Sequence, residues 1–129
     1  MQASSKNIFD TVPEKRYLDL YEEEAIQPQK VVKFLAFTKA DVASAADTPI
    51  GNVRYDQRIP EELKRYLTEV AVVCENVANF FGGDTIKTSM WFQTSNPLLG
   101  NISPRDMIRL GRFRKLMKFI QNSLSENRP

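Results

Sequence analysis

The chain has 129 residues, 42% of them hydrophobic and 10% aromatic, enough apolar material for one real core and too much for a disordered chain. It holds one cysteine and no histidine, which excludes an internal disulfide framework, the usual zinc ligand sets and histidine-based hydrolytic triads. The net charge of +2 is uneven: residues 1–26 carry three basic and six acidic side chains, so the remainder is near +5, a mildly basic body that suits either nucleic-acid contact or plain solubility.

No apolar run is long enough to span a bilayer, and the N-terminus lacks the positive-then-apolar order of a secretory signal, so a cytoplasmic protein without membrane contact is expected. The opening "MQASSKN" has no periodicity and reads as a frayed end. In "IFDTVPEKRYLDLYEEEAIQ", Tyr17, Leu18 and Tyr21 at one-turn spacing predict a short helix, which makes 1–26 an N-terminal extension. In "QPQKVVKFLAF", Pro28 suits the first position of a helix whose inner face carries Val31, Phe34 and Leu35.

A second helix follows in "TKADVASAAD", with Thr38 as N-cap and Val42, Ala45 and Ala46 as a small-residue face that permits close approach. Pro49 restarts a short helical segment, "PIGNVRY", with Ile50 and Val53 facing one way. Short helices joined by a tight turn predict a helix-turn-helix over 27–66, with a plain three-helix core as the alternative. In the DNA-binding reading Lys39, Arg54 and Arg58 neutralise phosphates, Asn52, Arg54 and Tyr55 reach base edges, and Thr48 caps a helix or meets a phosphate.

The longest patterned stretch runs from Pro60 to Gly82-Gly83, with Leu63, Tyr66, Leu67, Val70, Val73, Cys74, Val77, Phe80 and Phe81 at three- and four-residue steps. Cys74 lies on this stripe and reads as a buried hydrophobe. Beyond the glycines, Asp84 caps a helix bearing Ile86, Met90 and Trp91, with Trp91 directed to the core. Ser103 and Pro104 then form an N-cap and first-position pair for a helix striped by Met107, Leu110, Phe113, Met117, Ile120 and Leu124, which Gly111 splits in two. Its opposite face carries Arg105, Arg109, Arg112 and Lys115, as a solvated face or a binding surface.

The run "MWFQTSNPLLGNISPRDMIRLG", preceded by a helix ending in "FFGG", resembles the C-terminal toxin-binding domain of the Xre/MbcA/ParS-type antitoxins, and the helix-turn-helix suits the Xre half of that name. Gly100-Asn101 stands where members often carry two glycines, a conservative exchange because asparagine tolerates left-handed backbone angles. The resemblance covers about 27–124 and implies an all-α chain, an Xre-like helix-turn-helix at 27–66 followed by a toxin-binding domain at 67–129, sharing the long central helix. It implies an antitoxin, not an enzyme, without cofactor or metal, that dimerises, occludes an NAD-consuming RES-type toxin and represses its own operon by binding operator DNA. A stand-alone dimeric transcriptional regulator is the alternative. Under the resemblance Trp91, Asn96, Pro97, Gly100, Pro104 and Gly111 are architecture; Arg105, Arg109 and Arg112 offer a toxin-binding helix face, and the tail residues Glu126, Asn127 and Arg128 either project into the toxin's pocket or form a frayed end that touches nothing.

Overall fold

The computed structural model of the protein describes residues 15–126. The chain is all-α apart from a minimal hairpin, β1 (Tyr21–Glu22) paired antiparallel with β2 (Ala25–Ile26). Six α-helices follow among the described residues: α1 (Pro28–Leu35), α2 (Lys39–Ala46), α3 (Glu61–Phe80), α4 (Thr85–Gln93), α5 (Pro104–Arg109) and α6 (Phe113–Glu126).

The 20-residue α3 is the spine, against which α1, α4 and α6 pack. Pro60 precedes it with extended backbone, Glu61 and Glu62 occupy its first turn, where the helix dipole favours acids, and left-handed Gly82 and Gly83 end it. Leu63, Leu67, Val70, Val73, Cys74 and Val77 are buried as the periodicity predicts. A single apolar cluster joins Leu18 and Leu20 to Val31, Leu35, Val42, α3, Phe92, Met107, Phe113 and Ile120. The core is therefore continuous across the expected boundary between 66 and 67.

Most helix starts follow their caps. Pro28 opens α1; Thr38 and Asp41 make a reciprocal capping box at α2; Asp84 accepts from the Lys87 N–H at α4; Ser103 accepts from the Asp106 N–H with Pro104 behind it at α5. Gly111, at φ +79°, separates α5 from α6.

The segment expected as a short helix around Tyr17, Leu18 and Tyr21 differs. Residues 15–20 form an irregular arm, bent at Leu18 and left-handed at Asp19, and the hairpin follows, with Leu18 and Leu20 buried on either side of exposed Asp19. Three successive glutamates, Glu22 to Glu24, repel one another, and Asp19 and Glu23 take left-handed angles no helix allows. The arm is pinned to the spine by Glu75, whose carboxylate accepts the Tyr17 N–H at 2.6 Å and the Leu18 N–H at 3.1 Å. The residues before Lys15 lie outside the described residues.

Two apolar assignments also change. Along α5 and α6 the core takes Ile108 and Leu116, while Leu110 is half-exposed. On α4 the buried face is Thr88 and Phe92, and Ile86 and Met90 point outward.

Candidate functional site

Two surfaces gather the residues singled out from sequence. The first is the corner after α2. Its expected recognition helix is a single 3-10 turn, Ile50–Asn52, followed by extended Val53. Pro49 lacks an N–H, Gly51 and Asn52 are poor helix formers, and the chain must turn inward to bury Val53. Ile50 and Val53 consequently part company: Val53 is buried and Ile50 is 56% exposed.

The expected DNA-facing side chains separate accordingly. Lys39, Asn52 and Arg58 are exposed, and their side chains have no hydrogen bond or ion pair among the described residues. Thr48 is half-buried and donates its N–H to the Ala43 carbonyl. Arg54 is clamped to Asp56 by two bonds of 2.9 and 2.8 Å, and Asp56 also accepts the Arg58 N–H at 3.0 Å. Those hydrogen bonds, Arg54's first, hold the Asp56 carboxyl down to about 2. Tyr55 turns its ring inward and its hydroxyl is enclosed without a partner, with burial raising its pKa, so it offers nothing to a base edge.

The second surface is built by the connector from Thr94 to Ser103. Asn96 caps a 3-10 turn, Pro97–Leu99, by accepting the Leu98 N–H at 2.9 Å, and its own N–H reaches the Ile102 carbonyl at 3.0 Å. Gly100 and Asn101 both take left-handed angles, φ +83° and +65°. Asn101 takes its left-handed angle as the backbone tolerance of asparagine allows. Trp91, expected as the packing anchor, is half-buried and meets Phe92 edge-on at 5.0 Å; the buried anchor is Phe92, which also receives Phe34 at 5.7 Å. Trp91 instead lines a cleft of about 210 Å³ with Phe80, Phe81, Leu98, Phe119 and Leu124. Leu98 is 78% and Phe80 50% exposed at its rim.

The arginine face divides in the same way. Arg105, expected on the outer face of its helix, reaches back to α1: Nε donates to the Leu35 carbonyl at 2.5 Å and Nη2 to the Ala36 carbonyl at 2.7 Å, with the guanidinium over the Phe37 ring. Asp106 and Asp41 surround it, so its donors are committed to the fold. Arg109 is half-buried and bonds Asp106 at 3.0 Å. Arg112 and Lys115 are exposed, joined by Arg114 and Lys118 of α6. Glu126 is exposed at the end of α6, while Asn127 and Arg128 lie outside the described residues.

Sequence reasoning missed Glu75. Its carboxyl sits in the core, where burial raises its pKa against the lowering pull of the Tyr17 and Leu18 N–H groups. A lone glutamate inside a stripe of valines was the available signal. Burial likewise pushes the Cys74 thiol up, consistent with a packing role. Among the described residues no group of acids and cysteine could hold a metal ion, and no described helix is long and apolar enough to cross a membrane. Comparison with protein-family models, with curated proteins and with solved structures found no match.

Proposed function

We propose that this chain is an antitoxin that binds a RES-type, NAD-consuming toxin through the cleft end of the molecule and represses its own operon through the α2 corner. The observation that carries the toxin half is the apolar cleft under Trp91 and Leu98, flanked by a connector locked by its own hydrogen bonds. Exposed leucine and phenylalanine around a half-buried tryptophan are what a protein partner covers, and aromatic anchors of this kind concentrate binding energy. Phe80, Phe81, Trp91, Asn96 and Leu98 of the cleft lie in residues 80–111, where the family resemblance is strongest.

The DNA half draws on Lys39, Asn52 and Arg58, whose polar ends are exposed and uncommitted. With three such side chains and no full recognition helix, useful affinity requires two copies on a palindromic site with half-sites about one helical turn apart.

Co-expression with a RES-type toxin from the neighbouring reading frame tests the reading. The wild-type chain is expected to co-purify with the toxin and suppress its NAD consumption, and Leu98→Asp to lose both while melting at the wild-type temperature. Truncation after Leu124 separates binding from inhibition: retained binding with lost inhibition assigns the block to the tail. Absence of any complex, with a dimer that Leu98→Asp dissociates, would favour the stand-alone regulator instead.

A further inference from the structure

Five cations among the described residues have acids at hand. Arg16 pairs with Glu24, Lys30 with Asp19, Arg54 with Asp56, and Arg105 and Arg109 with Asp106. The start of the last helix instead gathers four cations that have no such partner. Arg112, Arg114, Lys115 and Lys118 are all exposed, and no acidic residue occurs between Asp106 and Glu126. None of the four side chains has a hydrogen bond or ion pair among the described residues.

Geometry makes them one surface. Phe113, Leu116 and Ile120 turn the opposite side of α6 into the core, so Arg114, Lys115 and Lys118 share the outer face within one turn, about 6 Å of axial rise. Arg112 precedes the first turn, where the helix dipole adds to the positive potential. The junction leading into α6 also abuts α2: Ser44 Oγ donates to the Arg109 carbonyl at 3.2 Å, and a methyl group at Gly111 would lie 3.9 Å from the Ser44 carbonyl. This cationic stretch, with no acid of its own, thus begins beside the helix that carries Lys39.

We infer that the first turns of α6 are a second phosphate-contact track for duplex DNA, an extension of the α2 corner that rests on the DNA half of the proposed function. A duplex presents a dense, regular line of negative charge and rewards an uninterrupted run of cations. An acidic protein surface would instead be matched by bidentate, preorganised arginines, and the two arginines here that are preorganised, Arg105 and Arg109, are turned to Asp106. Solvated, unpaired Arg and Lys ends suit backbone positioning and not base reading.

The test uses the full chain and fluorescence anisotropy on a random-sequence duplex of about three helical turns, titrated across a range of salt. Replacing Arg112, Arg114, Lys115 and Lys118 by glutamine is expected to weaken binding and to lower the slope of log K against log salt by about 3 to 4, since each phosphate contact contributes about 0.9. A Lys39→Gln, Arg58→Gln variant reports the corner separately. An α6 variant with wild-type affinity and slope overturns the inference; if the corner variant then loses binding, the DNA half of the proposal stands without it. No binding by the wild-type chain rejects both. Loss of toxin capture by the α6 variant with an unchanged DNA slope also overturns the inference, assigning the face to a protein. Circular dichroism checks the fold, and Lys118→Glu alone, expected to lower the slope by at least one contact, repeats the measurement should the quadruple variant melt early.

Discussion

Two corners of the molecule, Asp47 to Pro60 and Thr94 to Ser103, both use a proline and a single 3-10 turn, yet they are held in opposite ways. The connector is closed by its own residues: the Asn96 side chain on the Leu98 N–H, the Asn96–Ile102 bridge, two left-handed residues and the Ser103 cap. At the first corner no side chain caps the 3-10 turn, and what fixes it is buried Val53 below and the Arg54–Asp56 clamp behind. Local bonds therefore close the connector around its own 3-10 turn, whereas at the α2 corner they lie behind the turn and leave its tip, Ile50 to Asn52, bare. A tip of that kind can adapt to a surface; a locked connector presents one.

The largest effect expected is at the connector's foundation. Phe92→Ala should cost about 3–5 kcal/mol in chemical denaturation, as for a buried aromatic, and Val53→Ala about 2 kcal/mol from two lost methyl groups and the space they leave. Trp91→Ala should cost clearly less than Phe92→Ala while abolishing toxin capture, because the indole lines the cleft. Equal costs for the two aromatics would return Trp91 to the role of core anchor.

Next come the connector's caps. Asn96→Ala and Ser103→Ala should each lower stability by about 1 kcal/mol. The glycines provide a smaller and opposite pair. Gly51 has open space around its missing side chain and no positive φ, so Gly51→Ala should raise stability by about 0.4–1 kcal/mol, whereas left-handed Gly100→Ala should lower it by about 1 kcal/mol. A melting series in which Gly51→Ala is the worse of the two would show that the first corner is as locally specified as the second.

The finest test is pH. Burial holds Glu75 above its usual value of 4.5, so the folded chain keeps that proton longer than the unfolded one. Its contribution to stability is full at acid pH and declines as pH rises through the folded pKa. Relative to wild type, Glu75→Gln should gain melting temperature as pH climbs from 4.5 upward. Asp56 has the opposite sign: lowered from 3.8 to about 2, it contributes above 3.8 and loses that contribution as pH falls through 2. Asp56→Asn should therefore differ from wild type at neutral pH and converge with it in strong acid.

The helical layout was legible wherever a cap met a periodic stripe. Pro28, Thr38, Asp84 and Ser103 each start a helix at the position their chemistry indicates, and Gly111 divides the last stripe. The arm at 15–26 was not, because Tyr17, Leu18 and Tyr21 match a helical spacing, and the deciding partner, Glu75, is 57 residues away from Leu18. Site residues were harder for the same reason. Periodicity places Arg105, Arg109 and Arg112 on one face, but nothing local distinguishes the arginine that turns back onto α1 from the one left in solvent. Tyr55 and Trp91 show the limit again: Tyr55 turns inward although its neighbour Val53 is also buried, whereas Trp91 stays half-buried beside buried Phe92, and nothing local separates the two cases.

The reach of Arg105 to the carbonyls of Leu35 and Ala36 closes loops of 70 and 69 residues, more than half the chain. Contacts of such separation form after the local helices, since ordering a long loop must precede any return from it. They also give a donor to the last carbonyls at the end of α1, which is closed locally by left-handed Ala36 and by the Phe37 N–H on the Val32 carbonyl. A fragment of residues 27–66 would leave the Leu35 and Ala36 carbonyls without the Arg105 donor and the inner sides of Val31, Leu35 and Val42 uncovered. Dissecting this protein by expression of its two halves would therefore yield unfolded pieces, and point substitutions in the full chain are the route to separating its surfaces.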